Sequence, residues 1–293
     1  MPKGKIVKAL SGFYYVDYES GLIQCRGRGV FRQRKITPLV GDHVEFEYKD
    51  KKEGYILAID KRKNQLTRPP IANVDQAIIV TSVKQPDLSL NLLDKFLVLV
   101  ESKGIQPLLF FTKMDLLAEQ EAIKVKEKLA YYQRIGYTIE FLSTKDNEMI
   151  EQLSIHLNNK VSVFAGQSGV GKTSILNQIV PGLQLETDDI SESLGRGKHT
   201  TRHVELIPFE NGLVADTPGF SALDFKEIQL EELPNCFPEF QALQDECKFR
   251  GCMHIKEPKC AVKQALDNGD ILADRYQNYV QFVEEIKNRK PRY

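Results

Sequence analysis

Gly166-Gln167-Ser168-Gly169-Val170-Gly171-Lys172-Thr173 is the stretch whose reading decides the fold. The apolar run Val161-Ser162-Val163-Phe164-Ala165 before it reads as a buried strand, and Ser174-Ile175-Leu176-Asn177-Gln178-Ile179-Val180 after it reads as a helix. Strand, glycine loop and helix in that order form a phosphate cradle. Gly166, Gly169 and Gly171 let main-chain N–H groups turn inward around an anion at a helix N-terminus. In such a cradle Lys172 meets the β- and γ-phosphates of a nucleotide, and the Thr173 hydroxyl faces Mg²⁺. Every fixed position of G-x-x-x-x-G-K-[ST] is filled, which favours nucleotide binding over an ordinary glycine turn. Gln167, Ser168, Val170 and Ser174 complete the expected binding stretch.

The chain has 293 residues, enough for two or three domains that each bury a core. Its apolar and charged fractions are those of a globular protein. Net charge is zero but uneven: residues 1–70 hold 15 Lys/Arg against 8 Asp/Glu, which points to a localised anionic partner for the front end. Residues 1–10 lack the apolar core of a signal peptide, and no uninterrupted apolar run is long enough to span a bilayer. A cytoplasmic location without a membrane partner is therefore expected, and a monomer is expected as well.

Residues 5–65 alternate apolar and polar in short runs: 6–10, 13–18, 22–26, 43–48 and 55–59, separated by glycines. Five such strands suggest a small barrel of the OB type. Between the third and fourth runs lies a basic loop with one aromatic, carrying Arg26, Arg28, Arg32, Arg34 and Lys35 around Phe31. On an OB face, cations beside aromatics would contact RNA. Alternatively Tyr14, Tyr15 and Phe31 belong to the core or rim, and the arginines solvate a loop.

Arg68-Pro69-Pro70 breaks the strand pattern and reads as a linker. Beyond it strands at 75–82, 106–111 and 137–142 alternate with helices at 90–103 and about 118–135, the pattern of a parallel sheet covered by helices on both faces. Thr112-Lys113-Met114-Asp115 follows the second of these strands and resembles the Asn-Lys-x-Asp base-reading motif of P-loop GTPases. Asp115 would accept hydrogen bonds from the ring N–H and amine of guanine, while the Lys113 stem would cover the base. Thr112 stands where the motif has asparagine, so an amide donor is absent. Ser143-Thr144-Lys145 resembles the weaker segment that meets the base carbonyl, although Ser-Thr after a strand is also a common helix cap.

A long polar run, 186–202, follows the phosphate-loop helix where a first switch belongs. Thr200 or Thr201 would close on Mg²⁺ there, with Thr201 preferred. Strand 212–215 then leads into Asp216-Thr217-Pro218-Gly219, a D-x-x-G pattern. Asp216 would hold a Mg²⁺-bound water, and the Gly219 N–H would sense the γ-phosphate. Phe220 stands where many GTPases carry a water-orienting glutamine, and an apolar ring cannot do that work. His199 is the candidate replacement, with a solvated loop histidine as the alternative reading. Catalysis is thus assigned to Lys172, Thr201 and His199.

The base-reading motifs precede the phosphate loop, so the GTPase domain reads as circularly permuted. This order, with an OB-like domain before it and a cysteine cluster after it, resembles the ribosome small subunit-dependent GTPase A family over essentially the whole chain. The resemblance implies a GTP hydrolase that acts late in small-subunit maturation, contacts rRNA and is stimulated by the subunit. Competing readings are a P-loop ATPase, against which Asp115 argues, and an RNA-binding scaffold whose nucleotide is structural. Cys247, Cys252, His254 and Cys260 supply three thiolates and an imidazole within fourteen residues, a donor set for one structural Zn²⁺. Cys236 lies apart and is expected in the core near Phe237. A final helix, 271–287, presents Leu272, Tyr276, Tyr279, Val280, Phe282 and Val283 as a docking face. The whole is read as multidomain: an OB-type β-barrel at 1–67, a circularly permuted α/β GTPase at 71–220 and a mainly helical zinc-binding domain at 221–293.

Overall fold

Five short strands build the N-terminal barrel, with burial alternating along the last three of them. The strands are β1 (Lys3–Leu10), β2 (Phe13–Tyr18), β3 (Gly21–Gly27), β4 (His43–Asp50) and β5 (Glu53–Ile59), and the short helix α1 (Gly29–Gln33) lies between β3 and β4. Ile6, Val16, Ile23, Cys25, Val44, Phe46 and Ile56 are buried inside. Neighbours run β1-β2-β3-β5-β4, and β4 returns to β1, so the barrel has no free edge. All pairs are antiparallel except β3 with β5, the order of an OB barrel. Gly54 allows that parallel approach: a Cβ there would stand 2.7 Å from Cys25 Sγ.

The computed structural model describes residues 1–19, 21–142, 149–180, 204–216 and 223–289. Its contacts divide the chain into two compact units, Met1–Ile78 with Asp146–Ser221 and Ile79–Lys145 with Ala222–Tyr293. The expected linker at 68–70 is the turn of a hairpin. Strand β6 (Gln65–Thr67) pairs with β7 (Pro70–Ala72), and Ala72 N–H donates to the Val40 carbonyl. The proline pair is compatible with this hairpin because Pro69 lies in the turn and Pro70 is the first residue of β7, where a strand tolerates proline.

In the second unit, β8 (Gln76–Ser82) enters from the first and is followed by α2 (Leu90–Glu101), β9 (Gln106–Thr112), α3 (Glu119–Arg134) and β10 (Thr138–Phe141). Strands β9 and β10 are parallel, as the alternation of strands and helices requires. Ser89 caps α2 by accepting the Leu92 N–H. Leu93, Phe96, Leu97 and Val100 of α2 are buried, and so is Asp94.

The first unit resumes with α4 (Met149–Leu157), β11 (Val161–Ala165), α5 (Lys172–Ile179), β12 (Val204–Phe209) and β13 (Gly212–Ala215). Strand β11 is parallel to β13, whereas β12 is antiparallel both to β13 and to β1. The sheet is therefore not wholly parallel, and β12 and α4 are elements that the sequence reading does not place. Gln76, buried at the start of β8, is satisfied here: its amide donates to Ser162 Oγ and the His156 carbonyl, and Lys160 Nζ donates to its oxygen.

The second unit closes with the 3₁₀ segment Leu230–Cys236, then α6 (Pro238–Gln241), α7 (Ala261–Asp267) and α8 (Ala273–Lys287). Phe225, Phe237, Phe240, Tyr279 and Phe282 form its core, with ring centroids 4.9–5.3 Å apart in their contacts. The buried face of α8 holds Tyr279, Phe282 and Val283 as expected, and also Arg275 and Asn278.

Candidate functional site

Strand β11 is buried at every position and delivers the chain into the phosphate loop. Gly166, Gly169 and Gly171 have φ of 139°, 78° and 98°, conformations that side-chain-bearing residues rarely adopt. The loop consequently turns into α5 with main-chain N–H groups at its start. Gln167, Ser168 and Gly169 are exposed, while Val170 and Lys172 are buried. Lys172 Nζ reaches back over the loop to the Gln167 carbonyl at 2.5 Å. A buried ammonium at the mouth of an anion cradle suits a polyphosphate. Thr173 is half-buried on the first turn of α5, and Ser174 is exposed.

Thr112 ends β9 and is buried, its carbonyl accepting Val83 N–H. Lys113 then adopts φ of 62°, and Met114–Leu116 form one 3₁₀ turn. Lys113 Nζ donates to the Gln85 carbonyl, which holds its stem along this loop. Among the described residues, the buried Asp115 Oδ1 has no hydrogen-bond partner. A carboxylate oxygen in that condition carries a full desolvation penalty unless a ligand supplies a donor. The ring N–H or amine of guanine is such a donor.

Asp216 follows β13, and Glu205 N–H donates to its Oδ1 at 3.0 Å. Ser143, Thr144, His199, Thr200, Thr201, Gly219 and Phe220 lie outside the described residues.

Cys247, Cys252, His254 and Cys260 converge as expected, all four donor atoms lying within 4.8 Å of one another. His254 Nδ1 is 3.2 Å from Cys260 Sγ and 3.7 Å from Cys247 Sγ, and the two sulfurs are 4.0 Å apart. Tetrahedral Zn²⁺ bonds of about 2.3 Å to sulfur and about 2.0 Å to nitrogen imply donor separations of roughly 3.5–3.8 Å, so the cluster is compatible with one zinc. Glu257 secures the loop by accepting the N–H groups of Met253, Ile255 and Lys256. The hydroxyls of Tyr276 and Tyr279 on α8 donate to the carbonyls of His254 and Met253. Cys236 stays apart: it is buried, and burial pushes its thiol up to about 12.

On the barrel, Arg26, Arg34 and Lys35 are exposed, and the side chain of Arg32 is outside the described set. Arg26 stacks over the Phe13 ring at 4.8 Å, while Arg28 pairs with Glu47 at 2.5 Å. Phe31, the aromatic of the supposed basic loop, is only 7 % exposed and belongs to the core. It cannot stack on a base, and the segment around it is partly helical.

A constellation that the sequence reading does not identify joins α8 to α2 and α3. Arg275, fully buried, donates through Nη1 to Asp94 Oδ1 at 2.6 Å and through Nε to Glu239 Oε1 at 2.5 Å. Tyr132 Oη and Asn278 Nδ2 also donate to Asp94, and the guanidinium lies 4.7 Å from the Phe237 ring centroid. Burial raises the Asp94 carboxyl, and the Arg275 charge opposes that shift.

Residues 59–226 match the family model described as RsgA GTPase, and residues 3–56 match the RsgA N-terminal domain. Two curated relatives align over all 293 residues and the full length of both chains. "Small ribosomal subunit biogenesis GTPase RsgA 2" of Oceanobacillus iheyensis is 59% identical, and "Small ribosomal subunit biogenesis GTPase RsgA" of a Geobacillus species is 60% identical. Among solved structures, "YloQ, a circularly permuted GTPase" is 52% identical with a TM-score of 0.87, covering 100% of this chain and 97% of that one. YjeQ from Thermotoga maritima is 39% identical with a TM-score of 0.86, covering 99% of each.

Proposed function

The chain belongs to the RsgA GTPase family and is a GTP hydrolase, and from that premise we propose that it is a cytoplasmic, monomeric factor for late small-subunit maturation that binds rRNA. The partnerless, buried Asp115 Oδ1 carries the guanine half of this reading. Adenine presents no N–H pair in that arrangement, so ATP would leave the carboxylate unsatisfied.

In this reading the segments divide the labour as 1–67 for rRNA, 71–220 for GTP and 221–293 for the zinc-held lobe. Thr112, Lys113 and Asp115, with Ser143 and Thr144, take the base. Gly166 to Ser174 cradle the phosphates, Lys172 neutralising the β- and γ-oxygens. Thr173, Thr201 and Asp216 hold Mg²⁺, which when bound neutralises charge on the transferring phosphoryl group. Gly219 N–H senses the γ-phosphate, and His199 orients the attacking water in place of the absent glutamine. Cys247, Cys252, His254 and Cys260 bind one structural Zn²⁺ with no open position for catalysis. Arg26, Arg28, Arg32, Arg34 and Lys35 face rRNA phosphates, and Arg28 exchanges Glu47 for phosphate on binding.

Phosphate release from GTP with and without purified small ribosomal subunits, beside Lys172→Ala, tests the proposal. Stimulation of about a hundredfold or more confined to the unmutated protein is expected for catalysis completed by a partner. Turnover indifferent to subunits would refute the ribosomal role.

A further inference from the structure

Among the described residues, the barrel meets the nucleotide-holding part of its unit along the ladder between β1 and β12. Strand β1 pairs with β12, placing Lys8 opposite Glu205 and Ala9 opposite Val204. Lys8 Nζ lies 2.6 Å from Glu205 Oε2. On its other side Glu205 is bound to Asp216 twice over: the Glu205 N–H donates to Asp216 Oδ1 at 3.0 Å, and the Glu205 carbonyl accepts Asp216 N–H at 2.9 Å. The main chain of one residue therefore orients the Asp216 carboxylate, and β1 of the barrel holds that residue from the side opposite β13. Val204, the start of β12, follows Thr201 by three residues in the chain. One ladder thus holds the exit of the first switch and the root of the second.

We propose that Glu205 is a positioning residue for the Mg²⁺ site and that Lys8, on the RNA-binding barrel, keeps it in register. The proposal rests on the assignment of Asp216 to Mg²⁺ made above. A carboxylate with one oxygen committed to a main-chain N–H has one rotamer in which to meet a metal-bound water. Displacing β12 by a fraction of an ångström moves that oxygen, and strand register is set by the pairs across the ladder. Neither β1 nor β12 carries a base-reading or phosphate-loop residue, so the expected signature is a change in Mg²⁺ dependence at constant nucleotide affinity. Because coupling between two binding events is reciprocal, an anionic partner on the barrel and Mg²⁺ on Asp216 would then sense each other.

The test is release of a fluorescent GDP analogue from the full chain across a range of Mg²⁺ concentrations, with affinity in EDTA as the reference. Lys8→Glu sets like charges face to face and should raise the half-saturating Mg²⁺ about threefold or more, with affinity in EDTA unchanged. The exchange variant Lys8→Glu/Glu205→Lys restores the pair and should return the value to within about twofold of the parent. Asp216→Asn, which weakens a charge-assisted contact, should shift it about tenfold or more. If Asp216→Asn shifts the curve and Lys8→Glu does not, the Glu205 assignment is wrong while the Mg²⁺ reading stands. No shift in Asp216→Asn would remove the Mg²⁺ reading and the relay together. A Lys8→Glu shift that the exchange variant fails to restore would also overturn the proposal. Should Lys8→Glu melt early, Lys8→Met carries the same comparison without repulsion.

Discussion

Different chemistry holds each of the two units together internally. In the first, the barrel joins the phosphate-loop segment through backbone, with β1 laid against β12 and one half-exposed ion pair, Lys8 with Glu205, across the ladder. In the second, the C-terminal helices join the base-reading segment through side chains, with Arg275 sandwiched between Asp94 and Glu239 at zero solvent exposure for the arginine. A main-chain ladder is indifferent to most side chains along it. A buried charge network depends on every member, because removing one partner strands the others in a medium that cannot solvate them. The second unit should therefore tolerate fewer substitutions than the first.

The largest difference should come from metal. Chelation is expected to remove on the order of 10 kcal/mol of folding free energy from the C-terminal lobe, whose ligand loop is otherwise held by Glu257 and two tyrosine hydroxyls. Alkylation read by mass spectrometry reports it by position. Cys247, Cys252 and Cys260 should become labelled when metal is withdrawn, while Cys25, buried in the barrel, stays protected. Equal labelling of the three thiols with and without chelator would mean that they hold no metal.

A smaller and cleaner contrast lies in the two ion pairs. Asp94→Ala leaves the Arg275 charge, the Tyr132 hydroxyl and the Asn278 amide without their shared acceptor, and should cost about 3–5 kcal/mol. Lys8→Ala breaks a solvent-screened pair and should cost about 1 kcal/mol or less. Urea unfolding of the two variants checks the ratio. Similar costs would show that both joints are of one kind.

What could be read in advance divides along the same line. The phosphate loop, the Thr112–Asp115 segment and the Cys/His cluster are each contiguous, so residue type and spacing point to a candidate chemistry before any fold is known. The barrel strands are legible because a half-buried strand alternates. Strand β12 is not, since its role is to fill the gap between β13 and β1, a partner near the opposite end of the chain. The hairpin at 65–72 hides behind a proline pair that locally signals only a break. Phe31 looks available for stacking in a run of arginines, yet tertiary packing claims it. Asp94 and Arg275 are 181 residues apart, and neither has a local reason to be buried. A charged residue inside an apolar helix face is the one cue available, and it does not name its partner.

Alkaline pH sharpens the comparison at its smallest scale. Burial raises the Cys25 thiol from 9.0 to about 11, so the folded barrel holds this proton more tightly than the unfolded chain does. Its contribution is complete below pH 9 and is lost as pH rises towards 11, to a total on the order of 2 kcal/mol. In the second unit Cys236 is raised to about 12, and burial also lifts the hydroxyls of Tyr132, Tyr137 and Tyr279 above their ordinary 10.0. These groups have the same sign; Cys236 acts from pH 9 as well and the tyrosines from about pH 10, and they continue beyond pH 11, where the share of Cys25 is spent. The urea midpoint, followed by far-ultraviolet circular dichroism, should accordingly fall from pH 9 upward. Cys25→Ala should lower the whole curve by its cavity and flatten only the segment between pH 9 and 11. If that segment keeps its slope in Cys25→Ala, the loss between pH 9 and 11 belongs to groups other than Cys25, Cys236 first among them.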